Sequence, residues 1–215
     1  MVKLVVGWWM MVINWLWGVP QELITMRLPQ EIVVTIIPAP TSTLPLKPTK
    51  IITPQPIRVV DDPNLPKEWG VAKQIGEHTW TMRVGQDSVM ATPKEILVAL
   101  NDYRRRNGVA ELMWDEKLTA YAQNRADFFE TNQRLDSHVG FGDYLENQDG
   151  FNKLGFNAVG ENSSYGYTMT GTHLIEWIFA GDEPHNKNQL NKDWAYVGVG
   201  VNGNAVDIIF GTGKF

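Results

Sequence analysis

Prolines are concentrated in one stretch of this 215-residue chain. Ten of the twelve lie between positions 20 and 66, in segments such as Pro38-Ala-Pro40 and Pro54-Gln-Pro56. Because proline lacks the amide donor and fixes φ, such a stretch cannot form a helix, and its composition is typical of an extended polyproline II spacer. We therefore expect residues 21–66 to be an extended linker, with the folded domain on its C-terminal side.

The N-terminal segment has the sequence pattern of an export element. Lys3 precedes an apolar run over residues 4–17, interrupted by Gly7 and Asn14. Fourteen helical residues span about 21 Å, short of the roughly 30 Å hydrocarbon core, which fits a signal-peptide core better than a full membrane span. Four tryptophans in the run, and no small-residue cleavage site after it, are typical instead of an interfacial anchor. Residues 1–20 are thus expected to be a signal peptide or membrane anchor, and the rest of the chain to lie outside.

Charge and cysteine content exclude several classes. The chain has no cysteine, which excludes disulfides and thiolate metal sites. Residues 91–215 carry 11 Lys and Arg against 17 Asp and Glu, whereas nucleic-acid binding requires clustered positive charge. The basic cluster Arg104-Arg105-Arg106 is interpreted as a solvated helix end. We expect no nucleic-acid partner.

Two segments follow the linker. Residues 67–90 are predicted to be a short β-like segment that packs on the main domain, residues 91–215. The main domain begins with a helix signal. Thr92 followed by Pro93 and Glu95 predicts a capped helix start.

Later signals predict helices on a small antiparallel sheet. In order they are a helix capped by Asp115, a long irregular connection over residues 131–168, a helix over residues 172–180, and two strands, 195–201 and 205–210, joined by an Asn-Gly-Asn turn. We interpret His78 as structural, and Trp114, Trp177 and Trp194 as core.

Several short motifs occur along the chain in an order known from one protein family. They are Leu100-Asn-Asp-Tyr-Arg-Arg-Arg-Asn-Gly108, Leu112-Met-Trp114, Leu118-Thr-Ala-Tyr-Ala122, Ser137-His138, Gly160-Glu161-Asn162, Trp177 with His185-Asn186, and Val197-Gly-Val-Gly200. Together they resemble the CAP superfamily (the SCP domain of cysteine-rich secretory, antigen 5 and pathogenesis-related proteins), in its cysteine-free bacterial branch. The resemblance covers most of residues 94–211. It implies an α+β fold, an α-β-α sandwich with a small antiparallel sheet flanked by helices.

The resemblance also implies a surface cleft that can hold a divalent cation such as zinc. His138 and His185 would be the imidazole ligands, and Glu161 would orient an imidazole or reach a metal-bound water. The family's second acid usually lies three residues after the motif tryptophan, where this chain has Ala180. Candidates for that acid are Glu176, Asp182 and Glu183. No organic cofactor is expected.

Three functions remain open, because the resemblance implies fold better than function. The first is an exported or surface-tethered module that binds an extracellular lipid, glycan or peptide. The second is a cell-envelope hydrolase, a peptidase or esterase, with His138, Glu161 and His185 as the candidate catalytic residues. The third is a structural adhesion domain. The missing acid argues against robust metal catalysis. His173 and Glu176 share a helix face and are interpreted as an ordinary surface pair rather than a metal site.

Overall fold

The computed structural model describes residues 65–215. The expected export segment, residues 1–20, and all but the last two residues of the expected linker, 21–66, lie outside the described residues. Within the described part of the chain, no helix is both long and apolar enough to cross a bilayer.

Helices and strands of the described residues form an α+β fold. In chain order they are β1 (Ala72–Gly76), β2 (Thr79–Met82), α1 (Pro93–Arg106), β3 (Met113–Trp114), α2 (Glu116–Asn132), α3 (Val139–Asn147), α4 (Gly150–Leu154), β4 (Phe156–Tyr165), α5 (Gly171–His173), α6 (Glu183–Gln189), β5 (Tyr196–Asn202) and β6 (Ala205–Lys214). A π-helical turn, Leu174–Ile178, and a 3-10 turn, Phe179–Gly181, continue α5.

The main sheet has four strands in the order β3-β5-β6-β4. Strands β5, β6 and β4 pair antiparallel, and the two-residue β3 pairs parallel to β5. Successive side chains of a strand face opposite sides. On one side, Val199 and Ile208 pack with residues of α1 and the α5 region; on the other, Ile209 packs with residues of α2 and α4. The expected α-β-α sandwich is therefore confirmed.

Two glycines of β5 allow α2 to lie directly on the sheet. A Cβ atom at Gly198 would lie 2.1 Å from the backbone nitrogen of Thr119, and one at Gly200 would lie 2.3 Å from the backbone of Ala122. Real Cβ atoms do not approach backbone this closely, so any side chain here would push the helix outward. The Val197-Gly-Val-Gly200 segment thus positions α2, the helix that supports the functional site.

The helix starts agree with the sequence signals. The hydroxyl of Thr92 accepts from the backbone N–H of Glu95, and the Thr92 N–H donates to the Glu95 carboxylate at 2.8 Å, which completes the expected capping box. The Asp115 carboxylate accepts from the backbone nitrogens of Lys117 and Leu118 at the start of α2.

Three sequence interpretations are wrong. Residues 131–168 are not irregular, because they contain α3, α4 and the whole of β4, which pairs with β6 some 40 residues later. Trp177 is 44% exposed rather than in the core, since its ring stacks on His173 at the surface. Arg104 is fully buried rather than solvated, because its guanidinium donates to the backbone carbonyls of Gln189, the last residue of α6, and of Asn191.

Candidate functional site

Two histidines each pair with a carboxylate. The Nδ1 atom of His138 lies 2.5 Å from Oε2 of Glu161, and Nδ1 of His185 lies 2.7 Å from Oδ2 of Asp182. Because a carboxylate only accepts, Nδ1 carries the proton and the Nε2 atom of each neutral ring is left as an acceptor. The two ring centroids are 6.5 Å apart. The structure therefore brings together the three residues expected from the sequence, and of the three candidates for a second acid it pairs Asp182 with His185.

Local backbone geometry fixes the position of His185. Asp182 is the N-cap of α6, and its carboxylate also accepts the backbone N–H of His185 at 3.1 Å. Pro184 occupies the first turn, where its missing amide proton is not needed. One carboxylate thus starts the helix and orients the imidazole that the helix carries.

His138 is held by an unusual turn. It lies immediately before α3 with φ +66°, and the preceding Ser137 has φ +54°, so two consecutive residues are left-handed. This conformation is rare for residues other than glycine, and histidine is among those that adopt it more often. The turn directs the His138 ring towards Glu161 on β4, at the edge of the sheet.

Beneath Glu161 lies a buried arginine that sequence reasoning missed. Arg125 of α2 donates from Nε to Glu161 at 2.8 Å, and its two terminal nitrogens donate to Asp136 at 2.8 and 2.7 Å. Burial favours a raised pKa for Asp136, but the hydrogen bonds from Arg125 outweigh it and hold that pKa below its ordinary value. A signal existed in the sequence: Arg125 falls in the buried register of α2, between Tyr121 and Phe129.

A second carboxyl is buried beside this network. Asp207 of β6 pairs in register with Ser163, and both of its side-chain oxygens are buried without a hydrogen-bond partner within the described residues. Burial raises the pKa of Asp207 well above its ordinary value, and the neighbouring Glu161 carboxylate raises it further, against the opposing effect of Arg125. In the described chain, the buried groups beside His138 therefore comprise three carboxyls, those of Asp136, Glu161 and Asp207, and one cation, that of Arg125.

The two imidazoles border two spaces. An outer groove of ≈ 480 Å³ is open to solvent and is lined by both rings, by Glu161 and by residues of α6. A smaller inner cavity of ≈ 50 Å³ is lined by the same two rings and by Asp182. Neither space has a Lys or Arg side chain in its lining. Ligand sites usually measure about 300–1,000 Å³, so the outer groove has the size of a small-molecule site.

The β1–β2 hairpin forms one side of both spaces. Trp80 meets the His185 ring edge-on at 5.6 Å between centroids, and His78 lies 6.2 Å from the His138 ring. Sequence reasoning assigned His78 no place at the site. The only signal for it was that a strand-like run containing histidine and tryptophan precedes the main domain.

The other acidic candidates lie elsewhere. Glu176 forms an ion pair with Arg106, and Glu183 is exposed and lines neither space. Nδ1 of His173 lies 2.8 Å from the carboxylate of Asp87, so His173 and Glu176 have different partners.

The two imidazoles are ligands of the type that zinc prefers, but they are fewer than the protein ligands of a usual zinc site. Imidazole nitrogens with carboxylates behind them are typical of metal-binding histidines. Zinc sites, however, use three or four protein ligands. Across residues 65–215, no group of three or more His, Cys, Asp or Glu side chains lies in positions to hold a metal ion.

Comparison with known proteins identifies the family of the domain. The cysteine-rich secretory protein family, CAP, matches residues 97–210. Among curated proteins, the uncharacterized membrane protein YlbC of Bacillus subtilis (strain 168) is 31% identical over 110 residues. That alignment covers 50% of this chain and 31% of YlbC, so the chain spans under a third of that relative's length.

Three similar solved structures each cover 56% of this chain. They are an extracellular protein containing an SCP domain from Bacillus anthracis (27% identity, 40% of that chain, TM-score 0.49), a cysteine-rich secretory protein from Staphylococcus aureus (15%, 38%, 0.46) and an outer surface protein from Borrelia burgdorferi (18%, 92%, 0.48). The family match includes more than half of the chain and contains both histidine–carboxylate pairs. The resemblance expected from the sequence is confirmed, and the chain belongs to the CAP family of cysteine-rich secretory proteins.

Proposed function

We propose that this chain is an exported or surface-tethered binding module whose ligand, a lipid, glycan or peptide of the cell envelope or surroundings, binds in the outer groove. The observation that carries the proposal is the open ≈ 480 Å³ groove lined by His138 and His185. Both rings are held by buried carboxylates, so their Nε2 atoms are fixed in place before a ligand arrives. Such preorganisation reduces the entropy lost on binding.

Location is proposed from two independent sources. The apolar run and proline-rich stretch of residues 1–66 have the composition of an export element followed by a spacer. The similar proteins are described as a membrane protein, an extracellular protein and an outer surface protein. Both support a position outside the cytoplasm.

Binding is favoured over hydrolysis by the hydroxyl groups at the site. A serine nucleophile needs a hydrogen bond to its base. Among the described residues, no Ser or Thr hydroxyl hydrogen-bonds to His138 or His185; the Ser137 hydroxyl is paired with Thr79 instead, at 2.9 Å. The groove therefore has fixed acceptors but no assembled nucleophile.

The lining of the groove supports an uncharged or zwitterionic ligand. It has imidazoles, an indole and one exposed carboxylate, that of Glu77, and no Lys or Arg. A purely anionic ligand would need positive charge to offset its desolvation. We therefore expect a neutral glycan, an uncharged peptide or a zwitterionic lipid headgroup to bind better than a phosphate or an acidic peptide.

The test is thermal stabilisation by three probes: a chitin tetrasaccharide, phosphatidylcholine vesicles and an end-capped uncharged hexapeptide. We expect one probe to raise the melting temperature of the wild type and of His173→Ala, but not of His138→Ala or His185→Ala. His173 is a matched control because its Nδ1 is also held by a carboxylate, away from both spaces. A shift that persists in both site variants would contradict the groove as the binding site.

The same variants distinguish the two alternative functions, a hydrolase and a structural adhesion domain. Cleavage of the hexapeptide, lost in both site variants, would favour a hydrolase. No shift with any probe, together with unchanged cell-surface attachment in a His138→Ala, His185→Ala double variant, would favour a structural adhesion domain.

A divalent cation is the second candidate ligand. Both Nδ1 atoms are held by carboxylates, which supports a role of the free Nε2 atoms as metal ligands. With two imidazoles the protein would supply half of a tetrahedral shell, and water or a bound ligand would complete it. Zinc titration by calorimetry is expected to show one site in wild type and His173→Ala and none in His185→Ala. Equal affinity in wild type and His185→Ala would exclude this site.

A further inference from the structure

The β1–β2 hairpin lies outside the part of the chain that the family shares. It spans residues 72–82, whereas the family match begins at residue 97. Even so, its tip lies against the two imidazoles: Trp80 contacts the His185 ring and His78 faces the His138 ring. The hairpin therefore adds side chains to the cleft that the shared domain does not provide.

The outer groove and the inner cavity share four ring side chains in their linings. His78, Trp80, His138 and His185 line both spaces. Behind them the inner cavity is rich in hydroxyl groups, which come from Thr79, Thr81, Ser137, Ser163, Ser164, Tyr165 and Tyr167. At ≈ 50 Å³ the cavity has room for a few waters, so a larger ligand could occupy it only if the four rings move apart.

The hairpin is fixed at its base and weakly held at its tip. At the base, Met82 is 5% exposed, and its backbone N–H and C=O both bond to the Tyr167 hydroxyl at 3.0 Å. At the tip, the one side-chain hydrogen bond to the rest of the described chain joins Thr79 to Ser137. A single neutral hydrogen bond contributes little to stability, and a two-stranded hairpin is marginally stable alone. The tip can therefore lift while the base stays in place.

We propose that the hairpin is a hinged wall of the binding site: its tip lifts about Met82, joins the groove to the cavity, and closes with His78 and Trp80 in contact with the ligand. The lining of the joined space includes hydroxyl-bearing residues, imidazoles and the carboxylates of Glu77, Glu161 and Asp182, without Lys or Arg, which fits a polar ligand that is not anionic. This inference rests on the proposed function, since the ligand is the one bound in the groove.

An engineered disulfide tests the motion directly. The chain has no cysteine, so Thr79→Cys with Ser137→Cys introduces one possible pair, at positions whose hydroxyl oxygens are 2.9 Å apart. The readout is the rate at which diethyl pyrocarbonate acylates each imidazole near pH 7.5, measured by mass spectrometry. His173 is the internal reference, because its side chain is 31% exposed, against 28% for His138, and it lies outside both spaces.

If the hairpin lifts, oxidation of the pair slows acylation of His185, whose side chain is 13% exposed and lies against Trp80, by about ten-fold relative to His173, because reaction at this shielded ring then requires an opening that the disulfide blocks. Reduction restores the rate. Equal rates in the oxidised and reduced forms would overturn the proposal and make the hairpin a static wall.

A second variant covers failure of the disulfide to form. Thr79→Val removes the hydrogen bond of the tip to Ser137 but keeps the volume of the side chain, so it is expected to speed acylation of His185 several-fold by favouring opening, while Ile75→Ala, on the exposed strand of the same hairpin, leaves it unchanged. Equal rates in both variants would also overturn the proposal. Acylation needs no ligand: if no probe binds but the lock slows labelling, the hinged wall stands and the proposed function fails.

Discussion

Asp182 holds His185 at two points, accepting its backbone N–H at 3.1 Å and lying 2.7 Å from its ring Nδ1. The first contact belongs to the helix and the second to the site, so substitutions can separate them. Asp182→Ala removes both and is expected to lower the free energy of unfolding by about 0.5–2 kcal/mol, the usual value of an N-cap.

Asp182→Asn keeps a capping acceptor but loses the charged partner of the ring. Urea unfolding should show it close to wild type, while probe binding in the groove weakens in both variants. Glu183→Ala, one residue further and exposed, is the control and should change neither property. A wild-type unfolding curve for Asp182→Ala would contradict the capping role.

Arg125 is expected to be the most costly polar residue to remove. It is buried between Glu161 and Asp136, so Arg125→Met leaves two carboxylates without their cation. Breaking a buried pair in this way costs about 3–5 kcal/mol. Arg105→Met provides the comparison, because Arg105 pairs with Asp102 and Glu111 at the exposed surface, where a pair contributes about 1 kcal/mol or less. Similar losses for the two variants in urea unfolding would contradict this account.

The raised pKa of Asp207 predicts that the free energy of unfolding depends on pH. This pKa is raised in the folded protein, so the folded state holds a proton that the unfolded chain releases above about pH 3.9. Stability from this group is therefore full below that pH and is lost as the pH rises towards the folded pKa. Asp207→Asn has no proton to lose, so its advantage over wild type should grow by about 1.4 kcal/mol per pH unit in that window.

Urea unfolding at pH 4 and pH 7 measures this difference. Asp193→Asn, at an exposed position, should show none. The prediction fails if Asp207→Asn gains nothing between the two pH values.

Gly198 is expected to tolerate no side chain. Its Cβ position lies 2.1 Å from the Thr119 nitrogen, so Gly198→Ala must push α2 away from the sheet and should cost about 1–3 kcal/mol. Gly142 of α3 has nothing within 4 Å of its Cβ position, and Gly142→Ala should stabilise the helix by up to about 1 kcal/mol. Thermal unfolding of the two variants should therefore shift in opposite directions, and shifts of the same sign would contradict the close packing.

Local signals predicted the fold best where they act over a few residues. The Thr92 capping box and the Asp115 cap place two helices correctly because each depends on side chains within one turn. Strand β4 was missed because its Gly, Asn and Ser residues resemble a loop, and its stability comes from pairing with β6, far along the chain.

The site was predicted to a similar extent. The family resemblance indicated His138, Glu161 and His185, but spacing alone could not choose among Glu176, Asp182 and Glu183. In the structure the acid that pairs with His185 is Asp182, the N-cap of α6, which reaches both the backbone and the ring of His185. The register of α2 indicates that Arg125 is buried, but nothing near Arg125 or Asp207 in the sequence shows which distant acids lie beside them.

Strand β4 connects the two halves of the site through consecutive residues. Glu161 bonds to Arg125 and faces His138, while Asn162 donates to the backbone carbonyl of His185 at 3.0 Å. Neighbours in a strand point to opposite sides, so one inserted or deleted residue would exchange the acid and the amide, and His138 would lose its carboxylate at the same time as the His185 backbone lost its amide contact. Length changes in this strand should therefore be tolerated by the fold only in steps of two.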